Sequence, residues 1–356
     1  MVVSTSDLAG APREARVTAI AYGTLAAWVL VLAAAILMLN DGRFVYTLDD
    51  PYIHLAMSEG IHAGGYGINP GEPASAASSI LFPYLLAWAS PYAFHEYLPF
   101  TINVAALVGT VVLFRIFLTE IGLDGTPRRR IAATLAAAAF PIGLSLVGLI
   151  FMGMEHPLQV MLDVAAVLGL VRAVGRRRVD PWLPAVLVLA PLVRYESLLV
   201  CGLTLIVLAR YGWWRLSVLT GLLIAATLGA FTLYLLSLGL PPVANSISAH
   251  SNFVNGSVGG YRIVSVLGSV FHQFFLNATQ VRGVILLLFA VAFGAMALRT
   301  RDDRTIALFG LLACVAYLFF GKISGIGRHE AALFAVVTLV LTYLLRGRIV
   351  QNLDSG

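Results

Sequence analysis

The chain is predicted to be an all-α polytopic membrane protein. Three observations predict it. Hydrophobic residues make up 59% of the 356 and charged residues 12%, with a mean hydropathy of +0.89. Several apolar runs reach the roughly 20 residues that a helix needs to cross ~30 Å of hydrocarbon. Arginines gather in short clusters between those runs, the pattern of cytoplasmic loops. Lipid offers no partner to an open backbone, so the spans must be helices. The net charge of +5 is then a matter of membrane orientation, and no nucleic acid is implied. Lys322 is the single lysine of an Ala-, Gly- and Arg-rich chain, which suggests a GC-rich bacterial genome and hence the inner (plasma) membrane.

Arg13 and Arg16 precede the first apolar run, residues 17–39, so 1–16 reads as a cytoplasmic tail. That run starts late and lacks a small-residue cleavage site, so it is not a signal peptide. Residues 40–79 form a first external loop, with a surface helix from Pro51 to about His62 and a Gly-rich turn region through Gly71. The runs 80–94 and 98–118 follow, closed by Arg128, Arg129 and Arg130; only one can cross if the acids and these arginines lie on opposite sides. The other would be re-entrant or lie on the surface. Runs 131–152 and 158–171 end in Arg172 and Arg176. Runs 182–193 and 197–209, each too short to cross alone, end in Arg210 and Arg215. Run 216–238 leads into a long external loop, 239–280. Runs 281–298, 305–320 and 331–345 complete a membrane domain over 17–345, about ten spans with an error of one; Arg346 and Arg348 open a basic cytoplasmic tail, 346–356.

With the arginine clusters inside, the remaining loops fall outside, and they carry the unusual polar residues. Asp49 and Asp50 stand together in a chain with only 18 acids. Asp50 before Pro51 also suits a helix start, with Asp50 as N-cap, but that explains one acid and not its neighbour. Adjacent carboxylates can serve as a general base or bind a divalent cation such as Mg or Mn. Tyr52, His54 and Glu59 lie on the same predicted helix, with His54 one turn from Asp50.

Glu155-His156-Pro157 breaks an apolar hairpin, and a helix continuing past Pro157 would stack Glu155, Gln159 and Asp163 into a buried polar stripe. Intramembrane acids face a cavity or a partner. Arg194-Tyr195-Glu196 allows either a local Arg194–Glu196 ion pair or an arginine that forks onto a phosphate. Lys322 to Glu330 contains Gly325, Gly327, Arg328 and His329 and opens the last helix at about Arg328; glycines and a helix N-terminus with two cations read as a phosphate seat. The segment 241–248 reads as a lid-like loop. The sequons at Asn255 and Asn277 carry little weight in a bacterial chain. Cys201 and Cys314, both in apolar runs, read as small buried hydrophobes.

Leu48-Asp49-Asp50-Pro51-Tyr52-Ile53-His54-Leu55, followed by Tyr66-Gly67-Ile68-Asn69-Pro70-Gly71-Glu72 and Ser78-Ser79, resembles the first external loop of membrane GT-C glycosyltransferases. It is most similar to the branch containing the arabinofuranosyltransferases. Phe151-Met152-Gly153-Met154-Glu155 is similar to that branch's second acidic motif; Arg194-Tyr195-Glu196 and Gly327-Arg328-His329-Glu330 look like its later basic motifs. The resemblance covers residues 17–345. It implies a GT-C-like bundle with a catalytic first external loop and a polyprenyl-phosphate-linked sugar as donor, and an envelope glycan, lipid or protein as acceptor, on the periplasmic side. It implies catalysis by Asp49 or Asp50, with Glu155 assisting. It implies donor-phosphate binding by Arg328, Arg194 and Lys322, with Tyr52, His54, His156, Glu196, His329 and Glu330 around the substrate. Many relatives carry an extracytoplasmic domain after the core, and this sequence stops at Gly356. Two other readings fit the composition: a transporter or flippase of a lipid-linked or anionic substrate, and a non-catalytic subunit of envelope assembly.

Overall fold

The computed structural model describes residues 5–242, 262–323 and 327–355, and within them every regular element is helical. In chain order the helices begin with α1 (Thr5–Leu39), α2 (Asp50–His62), α3 (Leu81–Ala87) and α4 (Leu98–Glu120). Next come α5 (Pro127–Gly143), α6 (Leu146–Leu149), α7 (His156–Arg176), α8 (Leu183–Val193) and α9 (Ser197–Leu208). The last are α10 (Trp214–Ser237), α11 (Arg262–Ala278), α12 (Val281–Arg299), α13 (Arg304–Phe320) and α14 (Ala331–Ser355).

Six helical segments are long and apolar enough to cross a membrane, or seven if the bent pair Pro127–Gly143 and Leu146–Met152 is one span. That is fewer than the expected ten. The run 80–94 holds only the seven residues of α3, a rise of about 10 Å. Of the two runs left open by the charge pattern, α4 is therefore the one with the length to cross. The helices α8 and α13, of 11 and 17 residues, also fall short. The segment Ser197–Ser237 passes as one 41-residue stretch, yet Gly212 inside it sits at φ 100, which no helix tolerates. A Cβ on Gly221 would lie 3.8 Å from the Leu205 side chain, where a straight helix would separate those residues by roughly 24 Å. So α9 and α10 fold back on each other. The bend of 53° between α5 and α6 has its own local cause. Pro141 removes a backbone donor and Ser145 takes φ 58.

The stretch 239–280, read as a loop, contains α11. The Phe274 ring of α11 stacks on Phe319 of α13 at 4.7 Å. The Asn277 amide donates to the Leu318 and Gly321 carbonyls, both at 2.9 Å, which occupies the second sequon in packing. Residues 243–248 of the lid-like segment, the sequon at Asn255, and Gly325 lie outside the described residues. Helix α7 is buried on nearly every side and packs against α4, α8, α9 and α14. A helix apolar nearly all round belongs in the centre, and α7 is the axis of the bundle. Cys201 and Cys314 are free and buried, as small hydrophobes.

The two ends of the bundle differ in chemistry. At the arginine end the acids pair off: Arg130 with Glu14 at 2.9 Å, Arg172 with Glu120 and Asp180 at 3.2 Å each, Arg346 with Asp303 at 3.0 Å. The opposite end holds the polar motifs singled out above.

Candidate functional site

The site is assembled around Gly153. The Thr47 amide donates to the Phe151 carbonyl at 3.2 Å, tying the first loop to the turn before α7. Gly153 sits at φ +68, and a Cβ there would lie 2.6 Å from the Tyr46 ring and 2.8 Å from Pro51. Only glycine permits both the left-handed turn and that approach. The start of α2 is thereby pressed against the start of α7.

Helix α2 opens at Asp50, one residue earlier than expected, with Asp49 in the N-cap position and making no side-chain cap. The adjacent acids consequently face different surroundings. Asp49 is exposed, with no side-chain partner among the described residues. Asp50 is half-buried, and its Oδ2 accepts from Arg328 Nη1 at 2.6 Å.

Glu155 is the buried hub, with none of its side chain exposed. Its Oε1 accepts from Arg194 Nη1 at 2.6 Å and from Ser78 Oγ at 2.8 Å. Its Oε2 lies 3.2 Å from His54 Nε2 without hydrogen-bond geometry. Burial pushes this carboxyl up, but His54 and Arg194 outweigh it and hold Glu155 well below the usual carboxylate range. Arg194, with 7% of its side chain exposed, also grips Glu196 at 2.5 and 3.1 Å. Both nitrogen edges of the guanidinium are therefore engaged by carboxylates, so the local ion pair is formed and Arg194 is not presented to a phosphate. Burial opposes the charge of Arg194, and the two glutamates prevail to raise its pKa above the ordinary value.

The His156 ring meets the His329 ring edge-on at 5.4 Å, linking the second motif to the last. Neither His156 nitrogen has a hydrogen-bond partner among the described residues, although the residue is 1% exposed. Burial and the neighbouring Arg194 push the His329 imidazole down to about 3, so it stays neutral. Below Glu155, Gln159 and Asp163 are buried at the four-residue steps expected of α7, and Asp163 accepts from Ser197 Oγ at 3.2 Å.

Asp50, His54, Glu155, His156, Arg194, Glu196, Arg328 and His329 are thus brought into one connected cluster. Four expected members stand apart from it, the exposed Asp49 and three others. The Tyr52 hydroxyl accepts from the Tyr46 amide at 3.2 Å, and Tyr52 lines a separate cavity of about 230 Å³ with Glu59 and His95. Lys322 is exposed, and its carbonyl rather than its ammonium is engaged, by the Tyr317 hydroxyl at 3.0 Å. Glu330 is buried and paired with Arg282 at 2.6 Å. The last helix opens at Ala331, so Arg328 lies in the turn before it rather than at its start.

Two residues at this end of the bundle escaped the sequence reading. Ser78 lies within a quoted motif but carried no role. Arg282 stands at the end of α12 opposite Arg299, an arginine against the charge bias, and that was the available signal. Gly327, at φ +80, gives it room: a Cβ there would overlap the Arg282 guanidinium.

Among the described residues no group of three or more His, Cys, Asp or Glu side chains is arranged to hold a metal ion. Of the two acids expected to bind one, Asp50 is already on Arg328. No family model, curated protein or solved structure matches the chain.

Proposed function

We propose that this chain is a membrane glycosyltransferase of the GT-C kind. It would move a sugar from a polyprenyl-phosphate donor to an envelope glycan, lipid or protein at the outer face of the bacterial inner membrane. The observation that carries this reading is convergence. Polar residues from the first loop, the start of α7, the α8–α9 joint and the turn before α14 meet at one end of an otherwise apolar bundle. A structural polar contact needs two partners, and this cluster draws on four distant segments. A GT-C-like arrangement of about ten membrane helices, with α8 and α9 as partial crossings, is part of the same proposal.

The Asp50–Arg328 pair gives the reading a mechanism. A donor phosphate competes for the Arg328 guanidinium and frees the Asp50 carboxylate. That carboxylate takes the proton of the acceptor hydroxyl as its oxygen attacks the anomeric carbon. The bond to the phosphate oxygen breaks with inversion, and Arg328 neutralises the departing polyprenyl phosphate. Asp49, exposed one residue away, orients the acceptor. Glu155 and Arg194 are positioning residues that hold His54 and Ser78 beneath the sugar.

The test is sugar transfer by the purified protein offered a panel of polyprenyl-phosphate sugars, with Asp50→Ala and Asp49→Ala alongside. Transfer abolished by Asp50→Ala and strongly reduced by Asp49→Ala is expected; full transfer in both variants would end the proposal. The buried line Glu155, Gln159 and Asp163 supports a second reading, a transporter of a lipid-linked or anionic substrate. Substrate movement across vesicles without any transfer would select it.

A further inference from the structure

The cavity of about 230 Å³ that Tyr52 lines has no part in the mechanism above. Tyr52, Leu55, Ala56 and Glu59 line it from one face of α2, at helical spacing, while Asp50 and His54 belong to the polar cluster. Four aromatic rings wall the cavity: Phe44, Tyr46, Tyr52 and Tyr97. Phe44 meets Tyr46 at 90° and Tyr97 at 52°, and Tyr46 meets Tyr52 at 69°. In none of these pairs do the rings stack, so they stand as the walls of a box. The Tyr46 hydroxyl donates to the Glu96 carbonyl at 2.6 Å, and the Tyr52 hydroxyl accepts from the Tyr46 amide, so two of the walls are tied in place.

The polar groups in this box are matched to a cation. Glu59 and Glu96 both line it, and neither is paired with an arginine or lysine among the described residues. At the same end of the bundle Asp50, Glu155, Glu196 and Glu330 each hold an arginine. His95, whose side chain is only 6% exposed, adds an acceptor. The Ser58 hydroxyl donates to the Leu55 carbonyl at 2.6 Å, so its oxygen accepts from His95 Nε2 at 2.8 Å. The hydrogen of the neutral ring is thereby fixed on Nε2, and Nδ1 keeps a lone pair. Nδ1 makes no hydrogen bond among the described residues and lies 3.8 Å from Glu59 Oε1, too far for one to form between them. A donor between these two acceptors would satisfy both.

The rings decide the kind of cation. A small metal ion needs a shell of oxygen ligands, and ring faces supply none. An organic cation is attracted to ring faces within about 6 Å. A primary ammonium also carries the N–H donors that Nδ1 and Glu59 can accept, and a quaternary ammonium has none. The mouth of the box, where Tyr52, Tyr97 and Glu59 are exposed, adjoins a run of exposed aromatic residues, Trp88, Tyr92 and Phe94, just before α4 leaves the bundle end at Leu98. Exposed tryptophan and tyrosine at the end of a crossing helix sit at the level of the lipid head groups.

We infer that this cavity binds the primary ammonium of a membrane lipid head group, enclosed by the four rings and held by Glu59 and His95. The inference is independent of the proposed transferase chemistry. Tyr46 is both a wall of the box and the ring pressed on Gly153, so an occupant braces the loop that carries Asp49 and Asp50.

The experiment is native mass spectrometry of the full chain in detergent, with three probes of identical acyl chains: phosphatidylethanolamine, phosphatidylcholine and phosphatidylglycerol. Phosphatidylethanolamine is expected to bind more than about tenfold tighter than phosphatidylglycerol, and several-fold tighter than phosphatidylcholine, which lacks the N–H donors. The double variant Glu59→Gln with Glu96→Gln, and separately Tyr97→Leu, are expected to bring phosphatidylethanolamine to the level of phosphatidylglycerol. These side chains are exposed, so the fold is expected to survive. Glu72→Gln, an exposed acid of the same loop outside the cavity, is expected to change nothing. Glycerophosphoethanolamine, the same head group without chains, is expected to displace the lipid only in large excess. Equal binding of phosphatidylethanolamine and phosphatidylglycerol, or a preference that survives in both cavity variants, would overturn the inference. A loss in Glu72→Gln as large as in the double variant would do the same, by assigning the preference to general surface charge. Phosphatidylcholine bound as tightly as phosphatidylethanolamine would refute the primary ammonium, and displacement by equimolar glycerophosphoethanolamine would refute the lipid source.

Discussion

Replacing Glu155 by glutamine preserves the shape of the side chain and removes its charge, which separates the electrostatic role of the hub from its packing. The glutamine oxygen can still accept from Ser78, so that contact survives. What is lost is the charge opposite Arg194, 2.6 Å away, and beside His54. Hydrogen bonds to charged groups contribute about 1.5–3 kcal/mol. Removing the sole partner of a buried ion costs about 3–5 kcal/mol. Arg194 keeps both its bonds to Glu196, so the single variant is expected at the lower figure, about 2–3 kcal/mol. Glu196→Gln alone should cost less, about 1–2 kcal/mol, because Glu196 is half-exposed. The double variant leaves a buried guanidinium with neither carboxylate. Its loss should exceed the sum of the singles by about 1 kcal/mol or more. Equilibrium unfolding in mixed micelles, followed by tryptophan fluorescence, provides the three values. Additivity within about 0.5 kcal/mol would refute the shared-arginine account.

Two further predictions concern the same end of the bundle. Gly153→Ala is expected to destabilise by about 1–3 kcal/mol and to loosen the first loop, since alanine at φ +68 is strained and its Cβ meets Tyr46 and Pro51; protease cleavage between α2 and α3 as slow as in the parent would count against it. The His329 imidazole is held near 3 in the fold against an ordinary 6.5. The unfolded chain therefore binds more protons between those values, so stability should be full above about pH 6.5 and fall as the pH drops toward 3. His329→Gln should flatten that slope, as read from unfolding midpoints across the range; an unchanged slope would assign the acid sensitivity elsewhere.

The class of the protein and the membership of its polar cluster were legible for one reason. In a chain this apolar, each polar residue away from the arginine clusters is conspicuous. Asp50, His54, Glu155, Arg194 and Arg328 stood out individually, and the structure joins them. The stripe below Glu155 followed from helical spacing alone. The number of crossings was not legible, because hydropathy counts apolar residues and not unbroken helix. Run 80–94 is as apolar as a span, but Ser90 and Pro91 interrupt it and the helix stops at Ala87. The reverse error hid α11, whose helical period sits among polar turn residues and is too short to cross. The separate surroundings of Asp49 and Asp50 depend on where the first turn of α2 begins, a one-residue matter that sequence does not settle. Arg282 was hidden differently: it lies at the boundary of a loop and a run, and its neighbours Gly327 and Glu330 are distant in sequence.

The shortness of α8 and α9 has a consequence for the lipid around them. Leu183, at the start of α8, packs on Gly169, one turn before Arg172 near the arginine end of α7. Helix α8 then rises about 17 Å to the Arg194 joint and α9 descends again. Both present leucine and isoleucine side chains outward, Leu189, Leu198 and Ile206 among them. Against a hydrocarbon layer of ~30 Å this hairpin is mismatched by roughly 13 Å, and a bilayer answers such a mismatch by thinning locally. The dimple would form on the flank that carries the cluster. There, phosphate head groups would approach the depth of Glu155 and His54 without leaving the membrane surface.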